Sequence, residues 1–377
     1  MNITIATGPL LPVPALRGGA IPRLWQGLAE EFARRGNVVG IVARAFPGQP
    51  RAETINGVRY FRHGGFSQGR QLALDLTKDF FYAASVVGRL PAADILVTND
   101  FWLPVFAGWL RPRSGKIVVN ANRFPKGQFR LYGRAALIAA ASGAVREAIV
   151  RQCPKLAKRT RVVANPVDTA LLFPKAADRA ENVAKMLLFV GRLHPEKGVH
   201  VLIRAFRQIS ARHPGWTLRI VGPLAEGQGG GGEGYRRQLD ELASGLPVEF
   251  SGAIFEMQAL ANIYCAADLF CYPSLAEAGE AFGVAPLEAM ACGVPPVVSG
   301  LECFRDFIRD GETGWVFDHR GASPAAALAG VLDLAMRDGA RREAAARRAS
   351  ETARRFSYTA IAGQYLDEFQ RVLAGKN

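Results

Sequence analysis

Short apolar runs alternate with longer amphipathic segments along almost the whole chain. Residues 3–7, 38–43 and 95–98 have the length and composition of buried strands, whereas residues 21–35 repeat apolar side chains at helical spacing. Parallel strands need a crossover of a dozen or more residues, which is usually a helix. The alternation therefore predicts an α/β fold with a parallel sheet that helices cover on both faces.

The chain is too long for a single core. It has 377 residues, more than the ~250–300 at which one hydrophobic core stops growing. A second series of strands and helices begins near residue 186 after a polar segment with linker composition. We therefore expect two Rossmann-like domains with a linker and a final helix, over residues 1–168, 169–184, 185–355 and 356–377.

Positive charge is concentrated in the first half of the chain. The formal net charge is +14, and residues 1–180 hold 26 Lys and Arg against 10 Asp and Glu, whereas the rest hold 21 against 23. A basic surface attracts an anionic bilayer, a lipid-phosphate acceptor or an acidic glycan, although an Arg-rich domain without such a partner is the alternative. Nucleic acid is not expected, because no zinc-finger spacing or basic motif interleaved with aromatic residues occurs.

Cysteine usage favours a reducing compartment. The five cysteines form no C-x-x-C pair and no His spacing suits zinc, so we expect reduced, mostly buried thiols. No apolar run reaches the ~18 residues of a spanning helix, and the N-terminus enters a strand pattern without a basic leader. The sequence therefore predicts a cytoplasmic protein whose only membrane contact is peripheral, at the inner face.

Two carboxylates flank a predicted helix start between Gly279 and Gly293. Glu280 lies in a loop, and Glu288 lies on a short helix that begins near Val284 and ends at Gly293. A helix N-terminus attracts phosphate, whereas carboxylates accept hydrogen bonds from sugar or ribose hydroxyls. The pattern indicates a nucleotide-sugar site, but the spacing alone is equally compatible with a surface helix that carries two solvated glutamates.

With Pro273-Ser274 before it and Glu288-Ala289-Met290-Ala291 inside it, this stretch resembles the Glu-x7-Glu signature of family-4 glycosyltransferases. These are retaining enzymes of GT-B architecture, in which two Rossmann-like domains face an interdomain cleft and the C-terminal helix crosses back to the first domain. The resemblance implies that Glu280 contacts sugar hydroxyls and that Glu288 holds the ribose. It also implies that the backbone of four residues caps the diphosphate: Ala281, Phe282, Gly283 and Val284.

A basic loop follows the first strand of the second domain. The loop begins at Gly191 and ends at Gly198, and it contains both Arg192 and Lys197. Arg can donate two parallel hydrogen bonds and Lys acts as a point charge. In the family, the matching residues clamp the diphosphate, so the resemblance implies catalytic roles for Arg192 and Lys197 together with Glu280. It also implies donor contacts at five glycines, of which the first two are equally compatible with an ordinary turn: Gly18, Gly19, Gly191, Gly222 and Gly252.

Polar residues after two strands of the first domain are candidates for acceptor contacts. Family members often carry a histidine at positions that correspond here to Asn99 or Asn122, and the only histidine before residue 190 is His63. Arg123 and Lys126 would suit an anionic acceptor, with solvated surface charge as the alternative. In the second domain, six glycines in residues 227–234 predict a mobile loop, which either orders over the donor or is simply flexible.

Together these features predict a retaining hexosyltransferase of cell-surface or exopolysaccharide synthesis. Its donor is a UDP-sugar or GDP-sugar, with UDP favoured, and its acceptor is a glycan, a lipid-linked sugar or a small molecule. No D-x-D motif occurs, so neither a metal nor another cofactor is expected. The alternatives are a non-catalytic nucleotide-sugar or glycan-binding protein and another GT-B enzyme, such as an epimerase or a hydrolase.

Overall fold

The chain divides into two compact units. The structure, a computed structural model, describes residues 1–15, 19–67, 69, 71–174 and 184–375. Unit 1 comprises Met1–Pro166 and Tyr358–Asn377, and unit 2 comprises Val167–Ser357. Most of the expected linker, residues 175–183, lies outside the described residues.

Unit 1 is built on an eight-stranded sheet. Its strands are β1 (Asn2–Ala6), β2 (Val38–Arg44), β3 (Ala52–Ile55), β4 (Val58–His63), β5 (Ile95–Thr98), β6 (Lys116–Ala121), β7 (Leu137–Ala140) and β8 (Thr160–Val162). They are arranged in the order β3-β4-β2-β1-β5-β6-β7-β8. The central strands β1 and β5 are almost entirely buried because helices cover both faces, as the apolar runs predicted.

The first sheet is parallel, as expected, apart from one additional strand, β3, that was not predicted. This strand pairs antiparallel with β4, while the other neighbours are parallel. Asn56 and Gly57 join the two strands and both have positive φ, at 50° and 78°. This turn geometry matches the twist of a tight hairpin, so the Asn-Gly dipeptide was the available signal for the extra strand.

In the described part of unit 1, four α-helices connect the strands. They are α1 (Ala20–Arg34), α2 (Leu72–Val87), α3 (Leu103–Leu110) and α4 (Gly143–Gln152). In α1, Leu24, Leu28 and Phe32 form the buried face, as their spacing predicted. The short helix α3 was not predicted, because its apolar residues surround the whole helix and give no periodic signal.

Unit 2 contains a six-stranded sheet in which neighbouring strands are parallel. Its strands are β9 (Lys185–Val190), β10 (Trp216–Val221), β11 (Val248–Gly252), β12 (Leu269–Tyr272), β13 (Pro296–Ser299) and β14 (Trp315–Phe317). The order is β11-β10-β9-β12-β13-β14. Strand β9 is therefore central, and its two neighbours are β10 and β12.

Six α-helices lie among the described residues of unit 2. They are α5 (Val199–Ile209), α6 (Gly232–Ala243), α7 (Met257–Ala266), α8 (Val284–Ala291), α9 (Pro324–Arg337) and α10 (Gly339–Arg354). Helix α6 begins inside the glycine-rich segment that was expected to be a loop, and the amphipathic α7 was not predicted. Helix α8 lies where the sequence predicts it, since Gly283 and Gly293 on either side have φ of 83° and 73°.

The last helix, α11 (Tyr358–Leu373), packs in unit 1. The ring of Tyr365 lies 5.5 Å from that of Trp25 on α1, and further contacts join Phe369 to Phe32 at 5.9 Å. The expected return of the C-terminal helix to the first domain is therefore confirmed. None of the described helices is both long and apolar enough to cross a bilayer.

Candidate functional site

The loops that carry the predicted donor residues meet at the carboxyl edge of the second sheet. Strand β9 leads into Gly191 and Arg192, and the adjacent parallel strand β12 leads into Pro273 and Ser274. Loops at this edge of an open parallel sheet are the usual place for ligands in α/β proteins. The sheet order therefore joins two motifs that lie about 80 residues apart in the sequence.

Lys197 and Glu280 form a buried ion pair at this edge. The Lys197 Nζ lies 2.7 Å from Glu280 Oε2, and the two side chains are only 9% and 10% exposed. The same Oε2 accepts hydrogen bonds from the hydroxyls of Tyr272 at 3.1 Å and Ser274 at 3.2 Å. Because all three contacts end on one oxygen, Oε1 receives no hydrogen bond from the part of the protein that the structure describes. The carboxylate is fixed in position with one oxygen still available.

Tyr272 is a hydrogen-bond donor held in its neutral form. Burial raises the pKa of its hydroxyl well above the usual value, and the negative charge of Glu280 raises it further. The phenol therefore stays protonated at physiological pH and keeps donating to Glu280. Pro273-Ser274 was part of the predicted motif, but the hydrogen bonds of Tyr272 and Ser274 to Glu280 were not predicted.

Arg192 is more exposed and has two protein partners. Its Nη2 lies 2.7 Å from Glu196 Oε1, and its Nη1 donates to the carbonyl of Gly229 at 2.7 Å. Gly229 has a φ of 77°, and a Cβ at this position would lie 2.7 Å from Arg192 Nη1. The glycine-rich segment thus supplies a backbone oxygen to the arginine. Glu196 was not predicted, although it lies within the quoted loop between Arg192 and Lys197.

Three predicted glycines lie at the ends of neighbouring strands. Gly191 follows β9, Gly222 follows β10, and Gly252 ends β11. A Cβ on Gly222 would lie only 1.8 Å from the carbonyl oxygen of Gly191, and the N–H of Gly222 donates to Gly252 O at 2.8 Å. The backbones of adjacent loops therefore approach so closely that Gly222 has no room for a side chain.

The N-terminus of α8 follows Glu280 directly. Gly283 precedes the first turn, and no side chain caps that turn. Phe282 is buried, with its ring 5.2 Å from that of Phe307, so its side chain points into the protein at this helix start. A Cβ on Gly283 would lie 2.4 Å from the ring of Phe304, which explains the glycine. Backbone N–H groups and the helix dipole favour an anion here.

Glu288 lies one helical turn further along α8. It accepts a hydrogen bond at 2.9 Å from the hydroxyl of Tyr264, on the neighbouring helix α7. Burial raises the pKa of Tyr264 well above its usual value, and the charge of Glu288 adds to the increase. Tyr264 was missed because α7 was not predicted and no sequence pattern links the two positions.

The predicted acceptor residues lie in unit 1, at the carboxyl edge of the first sheet. Asn99 follows β5 and Asn122 follows the adjacent parallel strand β6. Among the residues that the structure describes, their buried Oδ1 atoms have no hydrogen-bond partner, and neither does the buried hydroxyl of Thr7 at the end of β1. Arg123 and Lys126 are exposed. The edge therefore presents neutral oxygens, and Thr7 is a candidate that the sequence did not reveal.

Only one of the two predicted glycines of the first loop lies within the described residues. Gly19 immediately precedes α1 with a φ of 102°, which only glycine adopts readily. A Cβ there would lie 2.8 Å from Leu11 Cδ1. Gly18 lies outside the described residues, so the structure gives no test of its predicted contact.

A pair of buried carboxyl groups also lies at this edge. The backbone N–H of Trp102 donates to Asp100 Oδ1 at 3.2 Å and to Asp79 Oδ2 at 3.4 Å. Burial raises the pKa of Asp100 well above its usual range, and the neighbouring charge of Asp79 adds to it; burial also raises the pKa of Asp79. Two carboxyls this close cannot both ionise easily, so one retains its proton. The pair was not predicted because its members lie on separate elements.

Two Rossmann-like units, each with polar loops at the carboxyl edge of its sheet, define a protein of the GT-B class. The solved structure of sucrose-phosphate synthase from Thermosynechococcus elongatus superposes with a TM-score of 0.79 and 23% identity, and covers 100% of both chains. That of Anabaena HepE in complex with UDP and glucose gives a TM-score of 0.73 at 22% identity, over 98% of this chain and 99% of that one. These likenesses establish the fold.

Sequence comparison identifies the family. The model of the group 1 glycosyl transferases matches residues 175–355. The D-inositol 3-phosphate glycosyltransferase of Kineococcus radiotolerans is 30% identical and covers 98% of this chain and 94% of its own length. The chain therefore belongs to the group 1 glycosyltransferases and is an enzyme, which confirms the resemblance read from the stretch around Glu280 and Glu288 at the level of that group.

Proposed function

We propose that the protein is a retaining glycosyltransferase that takes a hexose-type sugar from a nucleotide diphosphate sugar without a metal ion. One observation carries this proposal: the buried pair of Lys197 and Glu280 immediately before the uncapped start of α8. It combines a fixed cation, a fixed carboxylate and backbone N–H groups. These are the groups that a diphosphate next to a sugar requires.

In this proposal, Glu280 and Glu288 bind hydroxyls on the two sides of the diphosphate. Glu280 Oε2 is held by protein partners, so its Oε1 is the oxygen that accepts from the sugar. Glu288 is steadied by Tyr264 and accepts from the ribose. The backbone of residues 281–284 lies in the chain between the two carboxylates and caps the phosphates, as the family resemblance implies.

Arg192 and Lys197 neutralise the charge that develops on the leaving diphosphate. Each has a carboxylate partner in the structure, Glu196 for Arg192 and Glu280 for Lys197. Arg192 is half-exposed, so it exchanges Glu196 for a phosphate at little cost. A bidentate guanidinium–phosphate contact then replaces a surface ion pair. Such a preorganised donor typically contributes a factor on the order of 10²–10³ to the rate.

In this proposal the sugar keeps its anomeric configuration because the transfer takes place on the front face of the anomeric carbon. The bond between the anomeric carbon and the phosphate oxygen breaks, and the acceptor oxygen bonds to the same face of that carbon. A phosphate oxygen of the leaving group takes the acceptor's proton, so no protein base is needed. The absence of a histidine at Asn99 and Asn122 is compatible with this route.

The donor and acceptor classes are part of the proposal. UDP-sugars are favoured over GDP-sugars, and support comes from the likeness to the HepE protein, which was solved with UDP and glucose. The acceptor is a hydroxyl of a glycan, a lipid-linked sugar or a small molecule, and the name of the Kineococcus relative points to a phosphorylated polyol. We place the reaction in the synthesis of cell-surface or extracellular polysaccharide.

Turnover measurements test this function. The full-length protein is incubated with UDP-glucose, UDP-galactose or GDP-mannose, with and without lipid extract or inositol phosphates, and nucleotide release is followed over time. We expect release from one donor class that persists in EDTA, with a product whose anomeric configuration, read by NMR, equals that of the donor. Inversion or a strict metal requirement would contradict the mechanism. Donor binding without turnover in any mixture would favour the non-catalytic alternative.

We also propose that unit 1 binds an anionic bilayer at the inner face of the membrane. Helices α2 and α3 lie side by side, and the ring centres of Phe80 and Phe106 are 5.0 Å apart. Next to this contact, Phe81 and Trp109 are each 67% exposed, and the Arg134 guanidinium lies 3.7 Å from the Trp109 ring centre. Exposed aromatic rings among cations suit a lipid surface that carries negative charge.

Vesicle sedimentation tests the bilayer proposal. We expect the protein to bind phosphatidylcholine vesicles in which about a third of the lipid is phosphatidylglycerol. It should not bind vesicles of pure phosphatidylcholine. The double variant Phe81→Ser/Trp109→Ser should lose this binding. The matched control is Phe255→Ser, which removes an equally exposed ring in unit 2. Equal binding of all three proteins would contradict the assignment of this surface.

A further inference from the structure

Two cysteine side chains meet next to the proposed donor site. Cys265 lies near the end of α7 and Cys292 immediately follows α8. Their Sγ atoms are 3.0 Å apart, whereas a disulfide bond is about 2.05 Å long. Cys265 is half-buried and Cys292 is only 5% exposed. The sulfurs therefore need to approach by only about 1 Å to bond.

The chain between these cysteines contains the proposed donor motif. Residues 266–291 include β12, the loop that carries Glu280 and the whole of α8 with Glu288. Tyr264, the neighbour of Cys265, holds Glu288. A bond between the two sulfurs would thus link the helices that carry Tyr264 and Glu288, and would enclose the motif in a covalent loop.

The other cysteines are not arranged for such a bond. All five lie in the described part of the chain, and no other two approach each other in this way. Cys271 and Cys303 are almost completely buried, and burial raises the pKa of both thiols. Cys153 is half-buried in unit 1. It is half-buried like Cys265 but has no other cysteine beside it, so it is the matched control.

We propose that Cys265 and Cys292 form a reversible disulfide that staples the donor motif in its ligand-binding arrangement. The proposal goes beyond the transfer reaction, and the formation of the bond does not depend on which sugar is transferred. Disulfides in reducing compartments are typically transient and redox-sensing. The reduced thiols expected from the sequence then represent the resting state.

The oxidant is a peroxide, and the chemistry balances in two steps. The Cys265 thiolate, the more accessible of the two, attacks one oxygen of hydrogen peroxide, which gives a sulfenic acid and releases water after protonation. The Cys292 thiolate then attacks the sulfenic sulfur, the S–S bond forms, and the hydroxyl leaves as a second water. Two thiols and one peroxide thus give one disulfide and two waters. A thiol reductant reverses the reaction by exchange.

Thiol counting on the full-length protein tests the bond. The protein is treated with hydrogen peroxide, quenched with catalase, denatured and titrated for thiols, and its peptides are mapped by mass spectrometry. We expect five thiols in the reduced protein and two fewer after oxidation, with a single link between the Cys265 and Cys292 peptides that dithiothreitol removes. Five remaining thiols, or a link through Cys153, would overturn the proposal.

Variants and thermal unfolding test the staple. Cys153→Ser should leave the link intact, whereas Cys265→Ser, a change at a half-buried position, should abolish it. Cys292→Ser should do the same and serves as the second variant. Oxidation should raise the Tm by several degrees in the wild type and not in Cys265→Ser, because the cross-link restricts the unfolded chain. The stabilisation by UDP should persist in the oxidised form, and its loss on oxidation would contradict the staple.

The two proposals fail in different ways. If UDP stabilises neither the reduced nor the oxidised protein while the link still forms, the donor assignment is wrong and the disulfide stands. If UDP stabilises the reduced protein but no link forms, the disulfide is wrong and the donor assignment stands.

Discussion

The carboxyl edges of the two sheets carry different kinds of polar groups. At the edge of the second sheet, two cations each have a partner of opposite charge: Lys197 with Glu280, and Arg192 with Glu196. The first of these pairs is buried and the second is half-exposed. Both cations are therefore held in place for a charged group that displaces or joins their partners.

The edge of the first sheet differs, because several of its oxygens are neutral and lack a partner. Within the described part of the chain, the buried amide oxygens of Asn99 and Asn122 accept no hydrogen bond, and the buried hydroxyl of Thr7 has no hydrogen-bond partner. Buried polar atoms normally have partners, so an unpaired set at a sheet edge indicates a place where a ligand supplies them. Amide oxygens accept hydrogen bonds from hydroxyl groups. The comparison therefore suggests that the second unit is organised for a charged donor and the first for a hydroxyl-rich acceptor.

The largest effect is expected when the second edge loses one half of its buried pair. In Lys197→Met the Glu280 carboxylate stays buried without its cation, which typically costs about 3–5 kcal/mol in the free energy of unfolding. We expect that loss in urea unfolding, together with loss of measurable transfer. Lys185→Met, on the exposed start of β9, is the control and should change stability by about 0.5 kcal/mol or less.

The double variant Lys197→Met/Glu280→Leu distinguishes pairing from packing. With both charges removed, most of the lost stability should return while transfer stays abolished. A double variant that is less stable than either single variant would show that the two side chains do not depend on each other in this way.

The next largest effect is expected at Arg192. Arg192→Ala should lower kcat by on the order of 10²–10³, because a preorganised cation no longer meets the leaving group. Its stability should change little, since a half-exposed ion pair contributes about 0–1 kcal/mol. Arg236→Ala removes a similarly exposed ion pair with Asp240 and is the matched control. Steady-state kinetics that give the two variants the same kcat would contradict the donor assignment.

The third expected effect is a pH dependence of stability that arises from Asp100, at the edge of the first sheet. The pKa of Asp100 is raised in the folded protein, so the folded state binds more protons than the unfolded one. Its contribution to stability is complete below the unfolded pKa, near 3.9, and is lost as the pH rises through the folded value. The groups that share this environment are Asp79, Tyr82 and Tyr132.

Asp100→Asn keeps the shape of the side chain and removes this titration. We expect the variant to gain stability over the wild type as the pH rises from 4 to 8, by about 1.4 kcal/mol for each unit by which folding raises the pKa. Urea unfolding across this pH range measures the difference. A difference that is constant with pH would show that Asp100 does not retain its proton on folding.

The smallest effects on stability are expected at the neutral oxygens themselves. Asn99→Ala and Asn122→Ala should each lower kcat/KM for the acceptor by about tenfold, the value of one hydrogen bond of about 1.4 kcal/mol. Release of nucleotide by hydrolysis should not change. Asn120→Ala is the contrast, because Asn120 donates to the Tyr365 hydroxyl at 3.0 Å and its loss should cost about 1–2 kcal/mol of stability. If Asn99→Ala lost more stability than Asn120→Ala, Asn99 would have a structural role, which would contradict its assignment to the acceptor.

The sequence was most informative where the contacts are local. The start of α8, its flanking glycines and the order of carboxylates around it all follow from a 15-residue stretch, because helix caps depend on nearby residues. The alternation of strands and helices was equally readable, since it depends on burial alone. The hairpin at Asn56-Gly57 carried a clear signal that was not used.

The rest depends on which strands become neighbours. Lys197 and Glu280 are 83 residues apart and meet only because β9 and β12 pair in the sheet. Other pairs meet through helices instead: Asp79 on α2 approaches Asp100 after β5, and Tyr264 on α7 approaches Glu288 on α8. Nothing in a residue's own neighbourhood reports a partner that sheet order brings to it. The sequence therefore predicted the site's members as separate motifs, and their pairing came from the structure.

Thermal unfolding with added nucleotides tests the central claim, that the edge of the second sheet binds a nucleotide diphosphate. UDP, GDP, ADP and CMP are added singly to the wild type and to Glu288→Ala. At 100 times its dissociation constant, a ligand adds about 2.7 kcal/mol to the stability of the folded state. We expect UDP to raise the Tm of the wild type and not of Glu288→Ala. Stabilisation by none of the four, or equal stabilisation of both proteins, would contradict the account.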